Sequence, residues 1–121
     1  MKIILMLSLG LLIPSLAAAQ APVKNPSGVA FLCPDHATDD GHEVDIIRES
    51  DGVVIQTLAV GDPPLNAQGE VEVAINVQPV AFGQYRFTVR AVAGTLKSVN
   101  SVLSDLWERV PGQPSKPVLR N

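Results

Sequence analysis

The chain has 121 residues, with nine Lys and Arg against twelve Asp and Glu, two His and a single Cys. A mildly acidic balance with no basic cluster argues against nucleic acid as the partner, and one cysteine excludes an internal disulfide. Stability therefore has to come from a hydrophobic core, which a chain of this length can build as one domain.

Met1 and Lys2 give a short positive start, Ile3 to Leu16 are almost all apolar, and Ala17-Ala18-Ala19 follow ahead of Gln20. This is the layout of a secretory signal, expected to be cut after Ala19, with Ala21 as second choice. The apolar run is short for a membrane span and Pro14 interrupts it. The expected location is therefore secreted or periplasmic, with no membrane span after cleavage. Removing 19 residues from 121 leaves 102, and losing Lys2 leaves eight basic against twelve acidic residues, a net charge of −4.

Residues 20–27 carry Pro22 and Pro26 and read as an extended leader. Val29, Phe31 and Cys33 alternate as a strand that Pro34 ends, and the polar, acidic stretch to Gly41 is a loop. His42 to Arg48 is a strand with His42, Val44 and Ile46 on one side and Glu43, Asp45 and Ile47 on the other. Ser50-Asp51-Gly52 turns it into a second strand over Val53 to Leu58, making a hairpin. Gly61 to Gly69, with Pro63-Pro64 and Asn66, is a loop. In Glu70 to Val77 the residues Val71, Val73, Ile75 and Val77 alternate with polar or small ones, so one face is buried and the other wet.

Pro79 to Gly83 leads into Gly83–Gly94, where Tyr85, Phe87, Val89 and Ala91 alternate with Gln84, Arg86, Thr88 and Arg90. The rest of the domain is expected to pack around this half-buried strand. Leu96 to Ser104 is a serine-rich connection, and Leu106 to Val110 closes residues 28–110 as a last strand. Residues 111–121 hold Pro111, Pro114 and Pro117 and read as an extended tail. Nothing after residue 19 has a helical period. Short strands separated by turn signals predict an all-β, two-layer antiparallel sandwich.

The run Tyr85-x-Phe87-x-Val89-x-Ala91, followed by a serine-rich turn and a final strand, resembles the second half of a fibronectin type III domain. Pro26 and Val29 resemble that family's opening, and His42-x-Val44-x-Ile46 its third strand, so the resemblance covers Pro22 to Val110. It implies that the Tyr85 hydroxyl bonds back to the preceding turn, with Pro79 upstream. Cys33 stands where the family has a core tryptophan and His42 where it has a tyrosine, so Phe31, Phe87 and Trp107 are expected to fill the space. An immunoglobulin-like sandwich of other topology stays open.

No set of residues argues for catalysis: Ser98, Ser101 and Ser104 lie outside any G-x-S-x-G context, and no glycine-rich phosphate cradle follows a strand. The chain therefore reads as a non-catalytic interaction module without a cofactor, recognising a protein or glycan or packing into a surface assembly. If Tyr85 and Phe87 face inward, then Glu43, Asp45, Ile47, Arg86, Thr88 and Arg90 face outward together as the candidate binding residues. Cross-strand charge pairing by itself is the simpler account of the charges among them, while Ile47 and Val54 favour a contact patch. The Val53-Val54-Ile55 edge is a separate route, by accepting a partner strand. The alternative function is a small periplasmic metal-binding protein using Cys33, His36 and His42. Against it, Cys33 falls on the apolar side of its strand, where a free cysteine behaves as a small buried hydrophobe. Asp35, Asp39 and Asp40 do not match the spacing of a calcium loop.

Overall fold

The computed structural model describes residues 21–121; the signal expected over residues 1–19 lies outside the described residues. The described residues form eight strands and no helix: β1 (Val23–Lys24), β2 (Gly28–Phe31), β3 (Gly41–Arg48), β4 (Val54–Val60), β5 (Val71–Ala74), β6 (Gly83–Ala93), β7 (Leu96–Lys97) and β8 (Trp107–Arg109). The described residues are all-β, as their two-residue periods predict.

The long alternating strand β6 lies inside the larger sheet, whose order is β1-β8-β6-β3-β4, with β7 also on β6. β3 pairs antiparallel with β6 along its whole length, from Gly41 opposite Val92 to Arg48 opposite Tyr85. On its other side it forms the expected hairpin with β4, closed by a turn at Gly52 with φ of 72°. Only glycine and a few polar residues adopt that angle at low cost. The second sheet is β2 against β5, with Val29 opposite Val73 and Phe31 opposite Val71.

The core lies between the two sheets. Val44, Ile46, Tyr85, Phe87 and Trp107 of the larger sheet are buried with Val71 and Val73 of the smaller, and with Ile75, Val77 and Val80 beyond it. Trp107 stacks on Phe87 with centroids 4.8 Å apart and lies 5.0 Å from Tyr85. Phe31 instead packs edge-on against His42, at 4.9 Å. The Tyr85 hydroxyl donates to the Ala81 carbonyl at 2.8 Å, in the turn that precedes its strand.

Four segments differ from what the sequence suggests, the first being the alternating 70–77 stretch, of which only Val71–Ala74 is strand. The leader contributes a strand, β1, parallel to β8 with Val23 opposite Trp107. Asn25, with φ of 49°, then turns the chain away while its side-chain oxygen accepts the Val110 amide at 2.9 Å. The expected last strand, 106–110, shortens to three residues, and its Arg109 is buried. The Arg109 guanidinium donates to the Val77 and Gln78 carbonyls at 2.9 and 3.1 Å, so β8 is tied to the link before β6.

The serine-rich connection runs along β6 as a ladder of period three. The backbone N–H groups of Ser98, Ser101 and Ser104 donate to the carbonyls of Ala91, Val89 and Phe87 at 3.0, 2.8 and 2.9 Å. Their hydroxyl oxygens accept the N–H groups of the same three β6 residues, at 2.9, 3.0 and 2.8 Å. Each serine thus gives β6 both an acceptor and a donor, as a paired strand residue would.

Candidate functional site

The six candidate binding residues do share one face, because β3 and β6 pair Glu43 with Arg90, Asp45 with Thr88 and Ile47 with Arg86. They are not free to meet a partner as an exposed patch. Asp45 and Thr88 are buried, at 4% and 5% exposure, and Glu43, Ile47, Arg86 and Arg90 are half-buried. The Arg90 guanidinium donates to Glu43 at 2.6 Å, to Asp45 at 3.2 Å and to Asn100 at 3.1 Å. The second Asp45 oxygen accepts the Thr57 hydroxyl at 2.6 Å. Lys97 donates to Glu43 at 3.2 Å, while Arg86 donates to Glu49 at 2.8 Å and to the Ser104 carbonyl at 3.0 Å. The Arg90 and Lys97 donors hold the Glu43 carboxyl below the usual carboxylate range. The picture of a free outward-facing charged face is thereby corrected: its charges are spent on one another, within the sheet and along the serine ladder.

The open edge of β4 is different. Among the described residues β4 is hydrogen-bonded to β3 alone, and its sequence Val-Ile-Gln-Thr-Leu-Ala-Val carries no charge. Val54, Gln56, Thr57 and Ala59 are exposed. The register shifts between Ile46 and Ile47, so the regular stretch of this edge is Gln56–Val60. Beside it a groove of about 610 Å³ opens between β4 and β5, lined by Ala59, Val60, Asp62, Glu72 and Val73. The route through Val53–Ile55 is thus displaced a few residues along the same strand.

At the end of the sandwich where β2 stops and β3 begins, Cys33 and His42 meet. His42 is fixed by β3 and by the Phe31 ring, and Cys33 lies two residues past the end of β2. The connection between them coils back through the hydrogen bonds of Thr38 and Asp39 N–H to the Asp35 carbonyl, at 2.9 and 3.0 Å. That places the Asp39 carboxylate 3.0 Å from Cys33 Sγ and 3.3 Å from His42 Nε2. Cys33 is half-buried rather than sealed in the core. Burial and the hydrogen bond to Asp39 push its thiol up to about 11, so the free thiol is protonated and a poor nucleophile. His36 stands in a neighbouring group with Asp39 and Asp62. The three acidic loop residues do not converge: Asp40 accepts the Gly94 amide at 2.6 Å instead.

Asp62 is absent from any reading of the local sequence, because it lies 26 positions from His36 and 23 from Asp39 along the chain. A signal for it exists in the hairpin. Val60 is opposite His42, so counting outward from the turn carries Gly61 and Asp62 to the start of β3. No family model, curated protein or solved structure matches the chain.

Proposed function

We propose that this protein is an extracytoplasmic, non-catalytic interaction module of the fibronectin type III kind, and that it engages an extended segment of a protein partner along β4. The family reading draws support from the chain's repeated crossing between sheets, β2 to β3, β4 to β5 and β5 to β6, and from the Tyr85 bond to Ala81 before β6. The signal-like N-terminal sequence supports the location.

The observation that carries the binding mode is the edge itself. Exposed edge strands are commonly guarded by lysine or proline, and Gln56–Val60 has neither, with Gln56, Thr57 and Ala59 exposed. A strand added there gains main-chain hydrogen bonds from the open side of β4, and alternate side chains enter the groove toward β5. A glycan would call for exposed polar and aromatic groups, which this edge lacks apart from Gln56 and Thr57.

The test uses the chain without residues 1–19 as bait for its own cell-envelope and medium proteins. Gln56→Lys with Ala59→Lys should abolish capture while circular dichroism stays unchanged. Arg86→Gln with Lys97→Gln should leave capture intact. Amide exchange over residues 56–60 should slow in the complex. Capture that survives the lysine pair, or that depends on the arginine face, refutes the edge reading.

A further inference from the structure

Around His42 there are more electron-rich atoms than hydrogens to join them. Cys33 Sγ lies 3.0 Å from Asp39 Oδ2 and 3.3 Å from His42 Nε2, and those two are 3.3 Å apart. His42 Nδ1 faces the Gly61 carbonyl at 3.3 Å. A carbonyl can only accept, so Nδ1 carries hydrogen, and a ring holding that single hydrogen presents a lone pair at Nε2. That lone pair meets a carboxylate oxygen and a sulfur, and the thiol offers one hydrogen to the group of three.

The shortage extends outward. The Asp39 side chain is only 4% exposed, yet its Oδ1 has no hydrogen-bond partner among the described residues. His36 Nδ1 and Asp62 Oδ1, on side chains 22% and 20% exposed, face each other at 2.9 Å without hydrogen-bond alignment, and pair as ions when the histidine is protonated. A buried carboxylate with one oxygen unpaired is costly, and a cation held at its other oxygen, Oδ2, would neutralise the group as a whole.

We propose that Cys33, Asp39 and His42 together bind one divalent transition-metal ion of the zinc class. With metal–nitrogen and metal–oxygen bonds near 2.0–2.2 Å and metal–sulfur near 2.3 Å, the edges of a tetrahedral site are about 3.3–3.6 Å. The three separations here lie within roughly half an ångström of those edges. A thiolate and an imidazole favour zinc over calcium or magnesium. The Gly61 carbonyl on Nδ1 is the usual outer partner of a metal-bound histidine, fixing its tautomer and ring orientation. Three protein ligands leave the fourth position to water, as in exchangeable sites rather than closed structural ones. A groove of about 330 Å³ lined by Phe31, Cys33, Pro34, His42 and Val89 gives the ion a way in. On binding, the Cys33 S–H bond gives its proton to water and a sulfur–metal bond forms, with no change of oxidation state.

The metal proposal does not rest on the binding role of the β4 edge, although the two meet at Gly61, which lines the β4 groove and bonds His42. The experiment titrates the reduced chain without residues 1–19, which retains every described strand, with Co²⁺ and then Zn²⁺. One equivalent of Co²⁺ should give a thiolate-to-metal charge-transfer band and tetrahedral ligand-field absorption, both erased by one equivalent of Zn²⁺. Cys33→Ser should lose the charge-transfer band and weaken zinc binding about tenfold or more. Absence of the band in the native chain, or equal zinc affinity in Cys33→Ser, overturns the proposal. Should that variant fail to fold, alkylation of Cys33 in the native chain decides. Zinc should slow it about tenfold or more, and an unchanged rate overturns the proposal.

Discussion

The serine ladder offers a quantitative test of how β6 is held between Tyr85 and Val92, where neither β8 nor β7 pairs with it. Replacing Ser98, Ser101 and Ser104 by Ala keeps their backbone donors and removes the three hydroxyl acceptors of the Ala91, Val89 and Phe87 N–H groups. A net hydrogen bond contributes about 0.5–1.5 kcal/mol. Ser98 and Ser101 are exposed, so water takes over part of the lost role and about 0.5–1 kcal/mol per site is the fitting range. The three sites touch different β6 residues, so the triple variant should lose about 1.5–3 kcal/mol. At about 4–8 °C per kcal/mol for a domain of this size, the thermal midpoint should fall by about 6–24 °C. Urea unfolding monitored by Trp107 fluorescence gives the free energy directly. Amide exchange at Phe87, Val89 and Ala91 should accelerate more than exchange in β3. A triple variant within about 0.5 kcal/mol of the parent would refute the view that the hydroxyls act as strand acceptors.

Tyr85→Phe removes the hydroxyl bonded to the Ala81 carbonyl while leaving the ring against Trp107, and should cost about 1 kcal/mol in urea unfolding. No loss at all would mean that this bond does not fix the entry to β6. Glu43 is held below its ordinary carboxylate range by Arg90 and then Lys97. Its folded-state pKa is thus depressed, so its contribution is present above the unfolded value of about 4.3 and is lost as pH falls through the lower folded value. Glu43→Gln should therefore be less stable than the parent at neutral pH, and the difference should vanish on acidification. High salt should shrink the same difference, because the Lys97 side chain is half-exposed and its pairing with Glu43 is screened. A gap between the two proteins that persists at acid pH would contradict the pairing.

The charged network also limits which substitutions can probe the face of β3 and β6. Asp45 is buried beneath Arg90, so reversing the sign of Arg90 would strand that carboxylate without its counter-ion. Changes at Arg86 and Lys97, on half-exposed or exposed groups, alter the surface without that burial cost.

Much of the strand inventory follows from local pattern. Val71, Val73, Ile75 and Val77 alternate in sequence and are all buried, and so do His42, Val44 and Ile46, because successive side chains of a strand point to opposite faces. The turn at Ser50–Gly52 and the span of β6 are legible for the same reason: each depends on a few adjacent residues. The choice of neighbours is not local. That 23–24 pairs with 107–108, or that serines 98, 101 and 104 serve as strand substitutes, is decided by which backbone donors β6 and β8 leave open once the sheets have packed. Alternation at Arg86, Thr88 and Arg90 marks an outer face but is blind to the partners across the sheet that bury Asp45 and Thr88. The Cys33–His42 pair is visible in the chain, whereas Asp62 joins that end of the molecule only through the β3–β4 register, a long-range hydrogen-bonding choice that no short window of sequence encodes.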